Sequence, residues 1–405
     1  MYNNKIHKVI IFLFIAVNYS YILTYAFHNM EFLILSFVVT FILILIYQKS
    51  FGYIIQLPLS RWIAFYFVIN LIWIVLPHAY TSATDVSDLF VTQAYLFTLA
   101  ALMFFDDNNL TTARKAILVI TLIAIFNNIL EFFVPSAFRS DNSLIKIVGR
   151  SAGFYGNSNG AGEALILGMI LSYGMVPKNL KVFFLLFALA GVIPTFSRTS
   201  ISQWFIVVFI LIMTKAIHKK VAVTIGSIVF VLVAIVLPIF INYLDIFLGD
   251  YAENILGRLD FFSSSHTISD SSAQSRLSVA KAAFGYFMDN PLLGAGHSFT
   301  YHWEHNISTH NIYLLQMAEY GILGIFIYPL LLLSIIWKAQ GEARITGLAL
   351  IASLFIIGMT SSNVLFGFHT LLIMAVMASW SHKSRLQADT QNEAHLLNPQ
   401  IRGNL

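Results

Sequence analysis

The sequence predicts an all-α integral membrane protein with about twelve transmembrane helices and one long loop outside the membrane containing amphipathic helices. Three observations predict it. Of 405 residues, 58% are hydrophobic and only 10% are charged, against roughly 45–50% and about 25% in soluble domains. The apolar residues come in blocks long enough to cross a hydrocarbon core, which takes about 20 helical residues. Finally, Lys and Arg fall mainly in every second connection between those blocks, as the positive-inside rule requires.

The predicted spans are 8–27, 30–47, 58–77, 88–105, 115–134, 158–176, 181–196, 199–216, 221–243, 311–337, 344–361 and 364–380. Lys5 and Lys8 precede the first block as they would in a signal peptide. That block lacks a small-residue cleavage site and a dozen similar blocks follow, so it reads as a retained helix. The pair between Lys181 and Lys215 is short, separated only by the polar corner Ser197-Arg198-Thr199-Ser200. The chain 1–405 reads as one polytopic domain that includes an outside loop, 244–310, and a polar inside tail, 381–405.

With the N-terminus inside, the inner segments hold Lys5, Lys8, Lys49, Arg61, Arg114, Lys115, Lys178, Lys181, Lys215, Lys219, Lys220, Lys338, Arg344, Lys383, Arg385 and Arg402. The outer segments hold Arg139, Lys146, Arg150, Arg198, Arg258, Arg276 and Lys281. Both termini are therefore expected in the cytoplasm. There is no cysteine, which excludes disulfides. The charge of +4 is spread along the chain without the basic–aromatic clustering of a nucleic-acid binder.

A loop as long as 244–310 in a compact protein is usually functional or disordered. Within it, Ser272 to Met288 reads as an amphipathic helix with Leu277, Ala280, Phe284 and Phe287 on one stripe. Such a helix either lies on the outer leaflet or caps a cavity between spans. It ends at Asn290-Pro291, and Gly294 and Gly296 follow as a turn. A second outer segment, about 135–157, runs into the polar, glycine-rich stretch 149–160.

The outer cations run against the orientation rule, so each invites a reason. Arg150 precedes a polar helix entrance, Arg198 sits in a tight turn, and Arg276 lies on the amphipathic helix. One anion could collect all three, because guanidinium groups bind phosphate through paired hydrogen bonds. A plainer reading makes each a helix-end anchor at the lipid headgroups. Five of the twelve histidines, His266, His297, His302, His305 and His310, fall in the long loop. His310-Asn311 opens the next span, which puts an imidazole at the membrane surface, where it could serve as a general base. A metal site from His302, Glu304, His305 and His310 lacks any H-E-x-x-H signature, and no metal or other cofactor is expected. Gly294-Ala295-Gly296 follows no strand and has no Walker lysine, and Asn306-Ile307-Ser308 is a short sequon of the kind that arises by chance.

Four blocks carry a resemblance: 150–159; Ser197-Arg198-Thr199-Ser200; Arg276 followed by the stretch 290–296; and His310-Asn311-x-Tyr313 with Glu319-Tyr320-Gly321-x-x-Gly324. Over roughly residues 145–325 the chain resembles the O-antigen ligase and polymerase superfamily of bacterial envelope glycosyltransferases. The resemblance implies transfer at the periplasmic face of the inner membrane, from an undecaprenyl-diphosphate-linked glycan donor to a sugar hydroxyl. The acceptor would be the lipid A core in a ligase, or a second carrier-linked glycan in a polymerase; the ligase is favoured. Carried over by block, Arg198 and Arg276 would bind the diphosphate with Arg150 beside them, and His310 would be the base. Asn311, Ser197 and Asn159 would support them. A transporter or flippase is the rival class, but matching halves and paired midplane carboxylates are not visible. Glu131, Glu163 and Glu319 lie towards outer span ends or unpaired.

Overall fold

The computed structural model describes residues 4–20, 38–42, 45–46, 51–76, 86–105, 109–134, 150–155, 157–217, 219–231, 271–305 and 308–397. Every regular element among them is helical. In chain order they are α1 (Asn4–Ser20), α2 (Phe51–Gln56), α3 (Pro58–Val75), α4 (Val86–Phe104), α5 (Leu110–Phe133), α6 (Ser158–Ser172), α7 (Lys181–Val192) and α8 (Arg198–Met213). They continue as α9 (Lys219–Val231), α10 (Ser271–Asp289), α11 (Phe299–His302), α12 (Ile312–Tyr320), α13 (Gly324–Ile335), α14 (Gly341–Thr360) and α15 (Phe368–Leu397).

Five stretches among the described residues are long and apolar enough to cross a bilayer: Pro58–Val75, Leu110–Phe133, Lys178–Thr195, Ile312–Ile335 and Gly341–Thr360. Ala94–Phe104 and Arg198–Met213 are shorter apolar helices. Most of the predicted span 30–47 and the far half of 221–243 lie outside the described residues, as do Arg139, Lys146, Arg258 and His266.

Helix α6 is the centre of the bundle. It packs against α5, α7, α8, α14 and α15, and is buried on all sides from Ala164 to Ser172. A helix that is apolar all round belongs in such a position. Close packing is allowed by Gly168, where any side chain would run into the hydroxyls of Tyr19 and Thr121; the Tyr19 hydroxyl donates to the Ala164 carbonyl. Small residues at helix crossings play this role wherever lipid offers no hydrophobic drive for association. Around this centre the outer helices expose large apolar side chains, among them Phe67, Phe126 and Phe355, as a lipid-facing surface does.

Three spans differ from their sequence reading. The span 311–337 is broken into α12 and α13 by a 3-10 turn, Gly321–Leu323, with Gly321 at φ +59°. The last helix does not stop at Trp380: α15 continues to Leu397, so the described part of the expected polar tail is helix. Helix α5 begins five residues before the expected 115, at Leu110. That takes in Arg114, whose guanidinium meets Glu342 at 3.3 Å and lies 3.4 Å over the Trp380 ring. Segments expected on the inner side meet one another: His7 bonds Asn109 at 2.7 Å, and the Gln340 amide donates to Ser384.

Because the α6 crossing leaves no room at residue 168, Gly168→Val should lower the thermal unfolding midpoint in detergent, by the equivalent of about 1–3 kcal/mol. Gly226→Ala, where an added Cβ meets nothing within 4 Å, should instead be neutral or stabilise by about 0.5–1 kcal/mol. Equal behaviour of the two variants would contradict the packing described.

Candidate active site

Three helices that begin at one end of the bundle carry the same device. Asn157 caps α6 by accepting from Gly160 N, Ser197 caps α8 by accepting from Ser200 N, and Asn311 caps α12 by accepting from Leu314 N. Each cap satisfies an orphan amide, and each helix start carries the positive end of its dipole. The sequences between the caps and the preceding helices then fix where the charged side chains go.

Before α6, the carboxylate of Glu131 at the end of α5 accepts from the amides of Ala152 and Gly153. Gly153 is required by φ +54° and by the Asn128 side chain it would otherwise strike. This pins Arg150, which is 5% exposed. Its Nε donates to the Thr195 carbonyl at 2.7 Å and one terminal nitrogen to Asn159 Oδ1 at 2.8 Å. Arg150 thus ties the entrance of α6 to the turn before α8.

Before α8, a 3-10 turn, Ile193–Thr195, leads into Phe196 at φ +46°. Thr195 Oγ1 donates to the Val192 carbonyl and accepts from Ser197 N, and Ser200 Oγ donates to Ser197 Oγ. Thr195, Ser197 and Ser200 are each buried. A corner whose hydroxyls are all engaged is rigid, and it presents half-buried Arg198 as the first residue of α8.

Helix α10 is held through its end. Ala295 N donates to the Ala318 carbonyl at 2.7 Å, Gly296 N to the Glu319 carbonyl at 3.2 Å, and Ile322 N to the Pro291 carbonyl at 2.8 Å. A Cβ on Gly294 would lie 2.5 Å from the Glu319 backbone, and one on Gly321 would lie 2.6 Å from Leu292. The two glycines therefore let the 290–296 turn lie directly on the break between α12 and α13. Glu319 completes the join by accepting from the amide and hydroxyl of Thr300.

The face of α10 that packs on the protein is Val279, Ala282, Ala283 and Tyr286. The expected stripe is not this packed face: its Leu277 and Phe284, both 48% exposed, face away from it. Close approach to α12 selects the small alanines, which leaves the larger side chains outside. Arg276, on the exposed part of α10, is aimed back towards the start of α12.

There the chain makes a left-handed turn at His310, φ +49°. Its amide donates to Ser308 Oγ, and Ser308 Oγ is hydrogen-bonded to Ser362 Oγ of the turn between α14 and α15. Thr309 Oγ1 donates to the Asn311 carbonyl.

The outcome is a single cavity of about 650 Å³ lined by Arg150, Arg198, Arg276, His310 and Asn159. That size is in the range of small-ligand sites, about 300–1,000 Å³. Ser197 and Asn311 stay behind the wall as helix caps. Of the other loop histidines, His297 bonds the Tyr320 hydroxyl at 2.6 Å, while His305 stands edge-on to Trp303 and 3.8 Å from Glu304. Neither they nor His302 line the cavity. His310 is held below the ordinary imidazole range, first by burial and then by the positive charge of Arg276. An imidazole so placed is neutral, and able to take a proton, to lower pH than a free one.

The cavity is also lined by Tyr155, Ser361, Asn363, His369 and Thr370, to which the sequence assigns no role, and by Glu163, which the sequence shows only as an unpaired acidic residue within an apolar block.

A cationic cavity lined also by the His310 and His369 imidazoles, at one end of an apolar helical bundle, defines a membrane protein with a site suited to an anion. Residues 182–328 match the O-antigen ligase family (Wzy_C), which supports membership of the O-antigen ligase and polymerase superfamily and a glycosyltransferase-like activity of ligase or polymerase type. The matched segment contains Arg198, Arg276 and His310; Arg150, Asn159 and Glu163 lie before it. No curated protein matches the chain.

The cavity electrostatics can be tested without any substrate. Followed by histidine-selective NMR in nanodiscs, the His310 imidazole should titrate below 6.5, the ordinary value. Arg276→Gln should raise its midpoint, since the neighbouring cation no longer opposes protonation, while burial keeps it below the free value. A midpoint unmoved by that substitution would mean that Arg276 and His310 do not share the site.

Proposed function

We propose that the protein transfers a glycan from undecaprenyl diphosphate to a sugar hydroxyl at the periplasmic face of the bacterial inner membrane, with the lipid A core as acceptor. The observation that carries this reading is the meeting of Arg198, Arg276 and His310, from three separate stretches of chain, in one cavity. In this reading about twelve helices span the membrane, both termini are cytoplasmic, and the cavity opens outward.

A glycosyl diphosphate brings its own leaving group, so the reaction needs no nucleotide. His310 takes the acceptor hydroxyl proton, the freed oxygen attacks the anomeric carbon, and the bond to the diphosphate oxygen breaks. Charge builds on the departing diphosphate, where fixed donors stabilise it most. Arg198 and Arg276 supply paired donors, and the starts of α6, α8 and α12 add positive potential. Arg150 is already bonded to Thr195 and Asn159, and its part is to hold the entrance of α6 against the turn before α8. Side chains neutralise the diphosphate, so no metal ion is required. One displacement inverts the anomeric centre.

Deleting the gene and resolving envelope glycans on a gel tests the reaction. Loss of core-attached polymer with accumulation of carrier-linked polymer is expected for the ligase. Core bearing a single repeat unit would identify the polymerase instead, and unchanged glycans would refute both.

Two measurements on the purified enzyme test the mechanism. Transfer should proceed undiminished in excess chelator. Arg198→Lys and Arg276→Lys should each lose about a hundredfold in rate, because an ammonium cannot reproduce the two-pronged contact. His310→Ala should lose about 10²–10⁴-fold, while His302→Ala stays close to wild type. Near-normal activity of both lysine variants would reduce the arginines to headgroup anchors.

A further inference from the structure

Resting on the reading of the cavity as a diphosphate site, we infer that Glu163 recognises hydroxyl groups of the transferred sugar. Glu163 lines the same cavity as the three arginines, yet none of them comes within ion-pairing distance of it. Among the described residues its carboxylate has no hydrogen bond or salt bridge. An ionisable group inside an apolar helix is expensive to keep and marks a ligand pathway. The position is also fixed from behind. Gly162, the preceding residue, packs directly on the Ser200 hydroxyl, so α6 is pressed against the start of α8 and Glu163 cannot withdraw from the cavity.

Chemistry decides what Glu163 can face. Ionised, its carboxyl would oppose the diphosphate that the arginines bind; protonated, it would add no charge to help them. The group bonded to the far side of that diphosphate is the first sugar, which is neutral and rich in hydroxyl donors. Glu163 also lies four residues beyond Asn159 along α6, a rise of about 6 Å. The arginine-bonded Asn159 therefore stands at the rim, with Glu163 further into the bundle. The same cavity is also lined by Ser361, Asn363 and Thr370, by the Tyr155, Phe366 and His369 rings and by Val364. Hydroxyls, an amide and an aromatic face suit a sugar ring and not a phosphate. This end of the site, which precedes or follows the family-matched segment 182–328, is where sugar preference is set. Glu163 touches the sugar without exchanging a proton, so its effect falls on binding of the glycan part.

The test is competition binding to purified protein in nanodiscs, with two probes. One is sugar-free undecaprenyl diphosphate; the other is the carrier-linked glycan extracted from cells lacking the gene. Glu163→Gln should weaken the glycan-bearing probe about tenfold, the loss of one hydrogen bond between a sugar hydroxyl and the carboxyl group, and leave the sugar-free probe unchanged. Glu163→Asp, which keeps the carboxyl group, should fall between wild type and Gln for the glycan-bearing probe alone. Arg198→Gln should weaken both probes. Equal weakening of both probes by Glu163→Gln, or no change in either, would overturn the assignment. Failure of the wild-type protein to bind either probe would instead bring down the diphosphate reading beneath it.

Discussion

The site depends on a backbone seam. Residues 291–296 and 318–322 are hydrogen-bonded to each other main chain to main chain, and the seam closes only because positions 294 and 321 carry no side chain. Two of the cavity's functional groups hang from its two sides. On one side is α10 with Arg276; on the other is α12, whose start carries His310. A surface helix attached by side chains alone would leave the distance between guanidinium and imidazole free to vary. Attachment through peptide groups fixes it, and the break that interrupts the span between α12 and α13 is the geometric consequence.

A second constraint explains the rigidity of the remaining walls. The cavity arginines run against the usual charge distribution of a membrane protein, and Arg150 and Arg198 are held by the structure around them. Arg150 is consumed by a carbonyl and an amide oxygen, which converts it into a brace between α6 and the turn before α8. Arg198 is presented by a corner in which the Ser200 hydroxyl donates to that of Ser197 and the Thr195 hydroxyl accepts from the Ser197 amide. His310 is set by Ser308, itself joined to Ser362 across the bundle. The turn between α14 and α15, which lines the cavity, therefore also steadies the backbone at His310.

The helical bundle was legible because long apolar blocks and charged connections are one-dimensional signals. Where the structure departs from that reading, the cause is three-dimensional. Hydropathy runs unbroken across residues 321–323, so nothing in it announces the break that the seam imposes. The helix past Trp380 persists because its polar residues, such as Lys383, Arg385 and Gln387, are good helix formers; polarity marks the end of a span, not the end of a helix. On α10 the stripe of largest side chains drew attention, whereas packing chose the small face of Ala282 and Ala283. Arg198, Arg276 and His310 stood out because charge in the wrong place is visible in a sequence. Ser361, Asn363 and Thr370 carry no charge and no spacing rule, and only the fold reveals that they share a cavity with residues two hundred positions away.

The walls of the cavity come from widely separated parts of the chain: the entrance of α6, the start of α8, the loop helix α10 with His310, and the turn between α14 and α15. A chain that emerges and inserts in order from its N-terminus has no complete binding surface until that last turn is in place. Ribosome-bound intermediates already hold Arg198 and the polar corner, but lack both the imidazole and the neutral wall. The cavity is therefore completed only when α14 and α15 dock against the helices that precede them.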